Sequence, residues 1–179
     1  MASCDALLRS IRLANRTSYG EQGKRVHIVP EVGEAIAFYQ TDHNEFRREF
    51  GLEGASVSDV AVDVHRPQAS SRSVFFIELK GRHIDKALDQ LKSTILAVQG
   101  CVKREAPCAS LHAVIVSSGG IAPKMLAGPI ARFPSVTRIA PTVRRTKNLD
   151  LRELIGKSAQ LHCERSVEKI AKAPRRQGS

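Results

Sequence analysis

The chain has 179 residues, 42% of them hydrophobic and none of them Trp, and a formal net charge of +10 from 28 Lys and Arg against 18 Asp and Glu. That length suits one domain with a sizeable core, and the blocks of aliphatic residues exclude a wholly disordered chain. No stretch approaches the ~18 consecutive apolar residues of a membrane span, and the amphipathic start MASCDALLRSIRLANR lacks the apolar core of a signal peptide, so a cytoplasmic protein with no membrane association is expected.

Residues 4–14 read as a short amphipathic helix with Leu7, Leu8 and Ile11 on one side, and NRTSYGEQGK as a loop. From Glu31, the residues Val32, Ile36, Tyr39, His43, Phe46 and Phe50 recur at intervals of three and four, which predicts one long helix or two abutting ones. Asp42 with Glu45 three residues later has the form of a capping box, placing a break near Thr41.

Through SDVAVDVHRPQASSRSVFFIELKG, residues 58–81, the period becomes two. Val60, Val62 and Val64 oppose Asp59, Ala61, Asp63 and His65; Phe75, Ile77 and Leu79 oppose Val74, Phe76, Glu78 and Lys80. The turn-prone RPQASSR between the two runs predicts a hairpin. A reversal near Gln68 to Ser71 brings Asp59 beside positions 78–80, on one face with Glu78 and Lys80, and leaves Asp63 nearer the turn, opposite Phe76.

Residues 84–98 read as a helix with Ile84, Ala87, Leu88, Leu91 and Ile95 as its buried stripe and Gln90 at the stripe's edge. LHAVIVSS at 111–118 is a further strand, and PKMLAGPIARF a short or broken helix. A weak strand near Val136 to Val143 follows, then a short helix around Leu151 to Ile155 introduced by Asp150, and a basic tail over 157–179. Cys4, Cys101, Cys108 and Cys163 have no paired CxxC spacing and read as free thiols.

The charge is unevenly spread. Residues 1–54 carry 7 Lys and Arg against 8 Asp and Glu, residues 55–100 carry 6 against 5, and residues 101–179 carry 15 against 5. Arg132, Arg138, Arg144, Arg145 and Lys147 have no acid between them, which suits a polyanion, although a solubilising surface has the same composition. Arg138, Arg144, Arg145 and Lys147 are the candidate nucleic-acid contacts.

Two carboxylates and an ammonium at the end of a hairpin answer a specific chemical need. Phosphodiester hydrolysis requires a hard divalent cation to neutralise the transition state and activate water. A pair of carboxylates is a sufficient protein ligand set for such an ion. A neighbouring Lys then positions the water or stabilises developing negative charge.

The pattern Ser58-Asp59, then Phe76-Ile77-Glu78-Leu79-Lys80-Gly81, then a helix containing Ala87-Leu88-Asp89-Gln90-Leu91, resembles the PD-(D/E)XK nuclease superfamily. Ser58 stands where that family often has Pro. The resemblance implies a restriction-endonuclease-like α/β fold, with a mixed central sheet whose catalytic hairpin is flanked by helices. Its core would span about residues 31–118 of a single domain over 1–156.

It implies Mg2+ or Mn2+ held by Asp59, Glu78 and the Leu79 backbone carbonyl, with Lys80 assisting the water and Gln90 positioning Lys80 or the substrate. Asp63 is the alternative first acid, and Glu34 or Glu45 the candidates for a further carboxylate. The implied activity is that of a DNA endonuclease, working as a homodimer or with a partner protein. A non-catalytic nucleic-acid-binding or assembly subunit that retains the fold is the alternative.

Overall fold

The alternation through residues 58–80 forms the centre of the molecule. In the computed structural model, which describes residues 12–69, 71–80, 83–106, 109–117 and 123–155, strands β5 (Val60–Arg66) and β6 (Ser71–Lys80) pair antiparallel with Val60 opposite Ile77 and Asp63 opposite Val74. Asp63 thus faces Val74 and not Phe76, two residues from the expected register. A two-residue slip preserves parity, so every side chain keeps its expected face.

Residues 31–50 are not one long helical region. Ala35–Gln40 is a strand, β4, antiparallel to β5, and only Asn44–Glu49 is helical, as α1. AIAFY has apolar residues on both sides because both sides are covered: Ile36 and Phe38 pack into one core cluster, Tyr39 against the other. A strand buried on two faces satisfies a three-four spacing by coincidence. Gly33, at φ 79°, also takes the backbone out of helical space just before the strand. The cap of α1 is His43, whose Nδ1 accepts from the Glu45 amide; Asp42 instead pairs with Arg47. Arg12–Leu13, expected at the end of a helix, forms strand β1 against β4.

After β6 the helix α2 (Ile84–Glu105) crosses over, and β7 (Ser110–Ser117) returns parallel to β6. Helix α3 (Pro123–Thr137) leads to β8 (Pro141–Arg145), parallel to β7. The sheet order is β1-β4-β5-β6-β7-β8, so an antiparallel half continues into a parallel half across β6. The class is α/β with a mixed sheet, as expected.

One face, with Ala61, Val74, Phe76 and Ile115, is covered by the stripe Ile84, Ala87, Leu88, Leu91 and Ile95 of α2, and by Phe46 and Phe133. The other, with Val60, Val62, Phe75, Ile77 and Val114, is covered by a small second sheet. That second sheet consists of β2 (Ser18–Glu21), β3 (Lys24–His27) and β9 (Asn148–Asp150), in a stretch expected to be loop at its amino-terminal end. Gln22 and Gly23 both have positive φ, the form of a two-residue hairpin turn. Val26, Ile28, Leu149 and Leu151 seat the small sheet on the large one. Asp150 caps the 3-10 turn Leu151–Leu154 as expected, its Oδ1 accepting from the Arg152 amide at 2.9 Å.

Cys101 is disulfide-bonded and not a free thiol. The expected helix over residues 4–11 and the tail over 157–179 lie outside the described residues. No helix among the described residues is long and apolar enough to cross a membrane.

Far from the hairpin's charged end, Glu34 ties three segments together. Its side chain has no exposed surface and accepts from Arg66 Nε at 2.7 Å and Arg152 Nη1 at 2.7 Å. Hydrogen bonding from Arg152 is the main cause that holds its carboxyl near 2, against the ordinary 4.5, although burial works in the opposite direction. A depressed carboxyl stabilises the fold above its unfolded value and loses that contribution as pH falls through its folded one. Glu34→Gln should therefore lower unfolding free energy by about 1–3 kcal/mol at pH 7. In urea titrations the gap from the parent protein should narrow as pH falls from 4.5 toward 2, and a gap that widens there would contradict this account.

Candidate active site

Parity and register determine what gathers at the carboxyl end of β6. Extending the pairing of Val60 with Ile77 by one residue sets Asp59 opposite Glu78. The Asp59 amide donates to the Ile77 carbonyl at 3.2 Å, and Asp59 Oδ2 accepts from the Leu79 amide at 2.7 Å. This carboxylate is thus fixed between the backbones of two strands.

Glu78 shares the face of Val74 and Phe76 and is 0% exposed. Lys80 Nζ lies 2.8 Å from Glu78 Oε1 as its ion-pair partner, while Oε2 is buried without a hydrogen bond. An ionised carboxylate in that condition is costly unless a cation compensates it.

The carboxyl groups carry the mark of that cost. Burial raises Glu78 to about 7, reinforced by the neighbouring Asp59 and opposed by Lys80. Burial likewise raises Asp59 to about 6; the Leu79 amide and Lys80 work against it, while Glu21 and Asp42 add to the rise. Two neighbouring acids pushed toward the neutral range mainly by burial are a common feature of functional sites.

The segment before Asp59 is held from several directions. Gln90 Nε2 donates to the Val57 carbonyl at 2.9 Å, Thr94 Oγ1 accepts from the Ser58 amide at 2.8 Å, and Thr41 Oγ1 donates to the Ser58 carbonyl at 2.5 Å. All three side chains are buried. Gln90 thus grips the strand entrance leading into Asp59, while its Oε1 is buried without a hydrogen bond. Thr41 and Thr94 do not emerge from the sequence as site residues, because a lone Thr on a helix stripe or after a strand gives no distinguishing signal.

Other candidates go elsewhere. Asp63 is bound in a two-point contact to Arg72, Oδ1 to Nε at 2.9 Å and Oδ2 to Nη2 at 2.8 Å, so the alternative first acid is committed to a structural pair. Glu34 precedes β4 at the end where Ala35 pairs with His65, the far end of β5 from Asp59. Glu45 is exposed in the first turn of α1. Neither is joined to the Asp59 and Glu78 pair by any contact described above.

The basic residues divide. Lys80 is in register with Ser117 and Ser117 with Arg145, so Arg145 lies on the same sheet face two strands away, about 10 Å at the usual strand spacing. Arg144, Arg145, Thr146, Asn148 and Glu153 border a groove of about 600 Å3 at that end, and Lys147 lies within the same turn. Arg138 precedes β8, at the opposite end of the strand.

One acid that the sequence does not single out adds to the rise of both carboxyls. Glu21 at the β2–β3 hairpin tip acts on Asp59 and Glu78, and Tyr19 on the same strand is pushed up to about 12, first by burial and then by Glu21, Asp59, Asp42 and Glu78.

Among the described residues no three His, Cys, Asp or Glu side chains converge closely enough to ligate one ion directly. The donors at hand are two carboxylates and main-chain oxygen, a hard set that fits Mg2+ or Mn2+ completed by water. No family model, curated protein or solved structure matches the chain.

Proposed function

We propose that the chain is a Mg2+- or Mn2+-dependent nuclease of the PD-(D/E)XK type, with a restriction-endonuclease-like fold, hydrolysing phosphodiester bonds in DNA. The observation that carries this reading is Glu78: a wholly buried carboxylate opposite a second buried acid, Asp59, with the Lys80 ammonium at 2.8 Å on Oε1 and Oε2 without a hydrogen bond. A protein that only grips polyanions has no use for such a group.

Asp59, Glu78 and the Leu79 carbonyl would hold the cation, which supplies charge neutralisation at the phosphate and a more acidic water. Lys80, whose side chain is 21% exposed, reaches from the pair toward solvent. There its ammonium stabilises negative charge developing on the phosphate oxygens. Gln90, Thr94 and Thr41 fix the main chain that aims Asp59, as supporting groups behind metal-binding carboxylates do. Arg144, Arg145 and Lys147 hold the flanking backbone without reading its sequence.

Purified protein should cleave at least one of linear, circular, single-stranded or branched DNA with Mg2+ or Mn2+ and none with EDTA; RNA serves as the comparison substrate. Absence of cleavage on all of them would leave the non-catalytic nucleic-acid-binding subunit as the better account. Replacing Arg144, Arg145 and Lys147 together with Ala should weaken DNA binding and reduce the slope of log affinity against log salt by about 2–3. An unchanged slope would return these residues to ordinary surface charge.

A further inference from the structure

The sheet face that carries Asp59 and Glu78 continues past them onto the parallel half of the sheet. Successive residues of a strand alternate between faces. Val114 and Val116 of β7 belong to the core cluster beneath the small second sheet, so Ser117 stands on the other face, in register with Lys80 on one side and Arg145 on the other. From β5 to β8 the end of this face therefore runs Asp59, then Glu78 and Lys80, then Ser117, then Arg145.

The charges are ordered across the sheet. Both acids lie on the antiparallel pair β5–β6, and the basic side chains follow toward β8. In the other direction β4 pairs Gln40 with Val60 and runs out into Thr41 and Asp42, a stretch with no Lys or Arg. Thr41 is bound to the Ser58 carbonyl, and Asp42 is paired with Arg47.

Exposure selects within the row. Ser117 is 0% exposed, whereas the Lys80 side chain is 21% exposed and Arg145 is exposed. The row thus meets solvent at two basic groups whose strands are about 10 Å apart, two strand spacings. Past Arg145 lies the groove of about 600 Å3, lined also by Arg144, Thr146, Asn148 and Glu153, and Arg144 Nε is buried without a hydrogen bond in the fold.

Resting on the nuclease reading above, we infer that the site takes its nucleic-acid strand from one side, with the scissile phosphate at the acidic pair beside Lys80 and a second phosphate of the same strand on Arg145. The strand leaves over β8 into the groove, and on the β4 side Gln40, Thr41 and Asp42 offer it no positive charge. A guanidinium suits the second position, since its fork can meet two oxygens of one phosphate. The ligand class is therefore a polynucleotide with phosphates continuing on one particular side of the cut, and not a mononucleotide ester.

The test is cleavage, with Mn2+, of single-stranded and duplex DNA oligonucleotides in which one phosphate at a time, other than the scissile one, is made neutral as a methylphosphonate. In the parent at least one such replacement, on one side of the cut only, should slow cleavage about 10-fold, the cost of a lost hydrogen bond to a charged group. Arg145→Ala should be slowed by a similar factor on the unmodified strand, and the same methylphosphonate should then cost it less than about 2-fold, as for two changes that remove one interaction. Arg138→Ala, which removes an equal charge beyond the other end of β8, should keep the parent's pattern. If every methylphosphonate costs Arg145→Ala as much as the parent, or if phosphates on both sides of the cut matter equally, the one-sided grip is wrong and the nuclease stands. If Arg138→Ala erases the same penalty, the effect is one of general field and the place given to Arg145 is wrong. If the parent cuts no oligonucleotide, the nuclease reading itself fails.

Discussion

Lys80→Ala and Glu78→Ala should each slow DNA cleavage by two or more powers of ten, yet differ in their effect on DNA binding. On the proposed reading, loss of Glu78 would remove one of two cation-binding carboxylates, whereas loss of Lys80 would leave both and remove the positive charge 2.8 Å from Glu78. Stabilisers positioned for a transition state are commonly worth 100- to 1000-fold in rate. Without divalent cation, Glu78→Ala should bind DNA as tightly as the parent or more tightly, because a carboxylate facing phosphate repels it. Lys80→Ala should bind slightly more weakly, as one phosphate contact among several. Single-turnover cleavage and filter binding in EDTA separate the two quantities. Equal cleavage by Glu78→Ala and the parent would end the catalytic reading.

The cation-free protein should lose stability as pH rises from 5 to 8, against the usual trend for paired carboxylates. Glu78 and Asp59 have folded values of about 7 and about 6, against ordinary values of 4.5 and 3.8. A carboxyl with a raised folded value favours folding below its unfolded value, and that benefit is lost as pH climbs through the folded one. For Glu78 the difference corresponds to on the order of 3 kcal/mol at 1.36 kcal/mol per pH unit.

Glu78→Gln should remove about half of this dependence, Asp59 carrying the rest, so that in EDTA at pH 8 it melts above the parent protein and at pH 5 close to it. Mn2+ should raise the parent's melting temperature at pH 8 and leave the Glu78→Gln value nearly unchanged, since a ligand stabilises only the state that binds it. Parallel melting curves for the two proteins across this pH range would show that the Glu78 carboxyl is not under strain.

Much of this site could be read from residues 58–80 because strand parity is robust. Asp59, Glu78 and Lys80 remain on their expected faces even though Asp63 turned out opposite Val74, for a slip of two residues conserves parity. The lesson from β4 is different. AIAFY is apolar on both sides, and a strand covered on both faces loses the alternation that distinguishes it from a helix stripe.

The β2–β3 hairpin is not legible in the sequence because NRTSYGEQGK reads as a loop. Its Gln22-Gly23 pair between Tyr19 and Val26 is a hairpin signal weaker than Asn-Gly but of the same kind. Nor could any local pattern have set Arg145 level with Lys80, since that alignment passes through Ser117 on an intervening strand. Arg138 shows the limit of composition: it belongs to the same acid-free run as Arg145 but lies beyond the other end of β8.

The pairing of Arg25 with Asn148 has a consequence in time. During synthesis at roughly 5–20 residues per second, the β5–β6 hairpin with its acidic pair is complete many seconds before Asn148 exists. Until then the β2–β3 ribbon has no third strand, and two strands alone are marginally stable in water. Contacts between such distant parts of the chain also form slowly once available. A nascent or truncated product ending before residue 148 would therefore contain Asp59, Glu78 and Lys80 on a sheet whose opposite face, with Val60, Phe75 and Ile77, lacks the third strand of its cover.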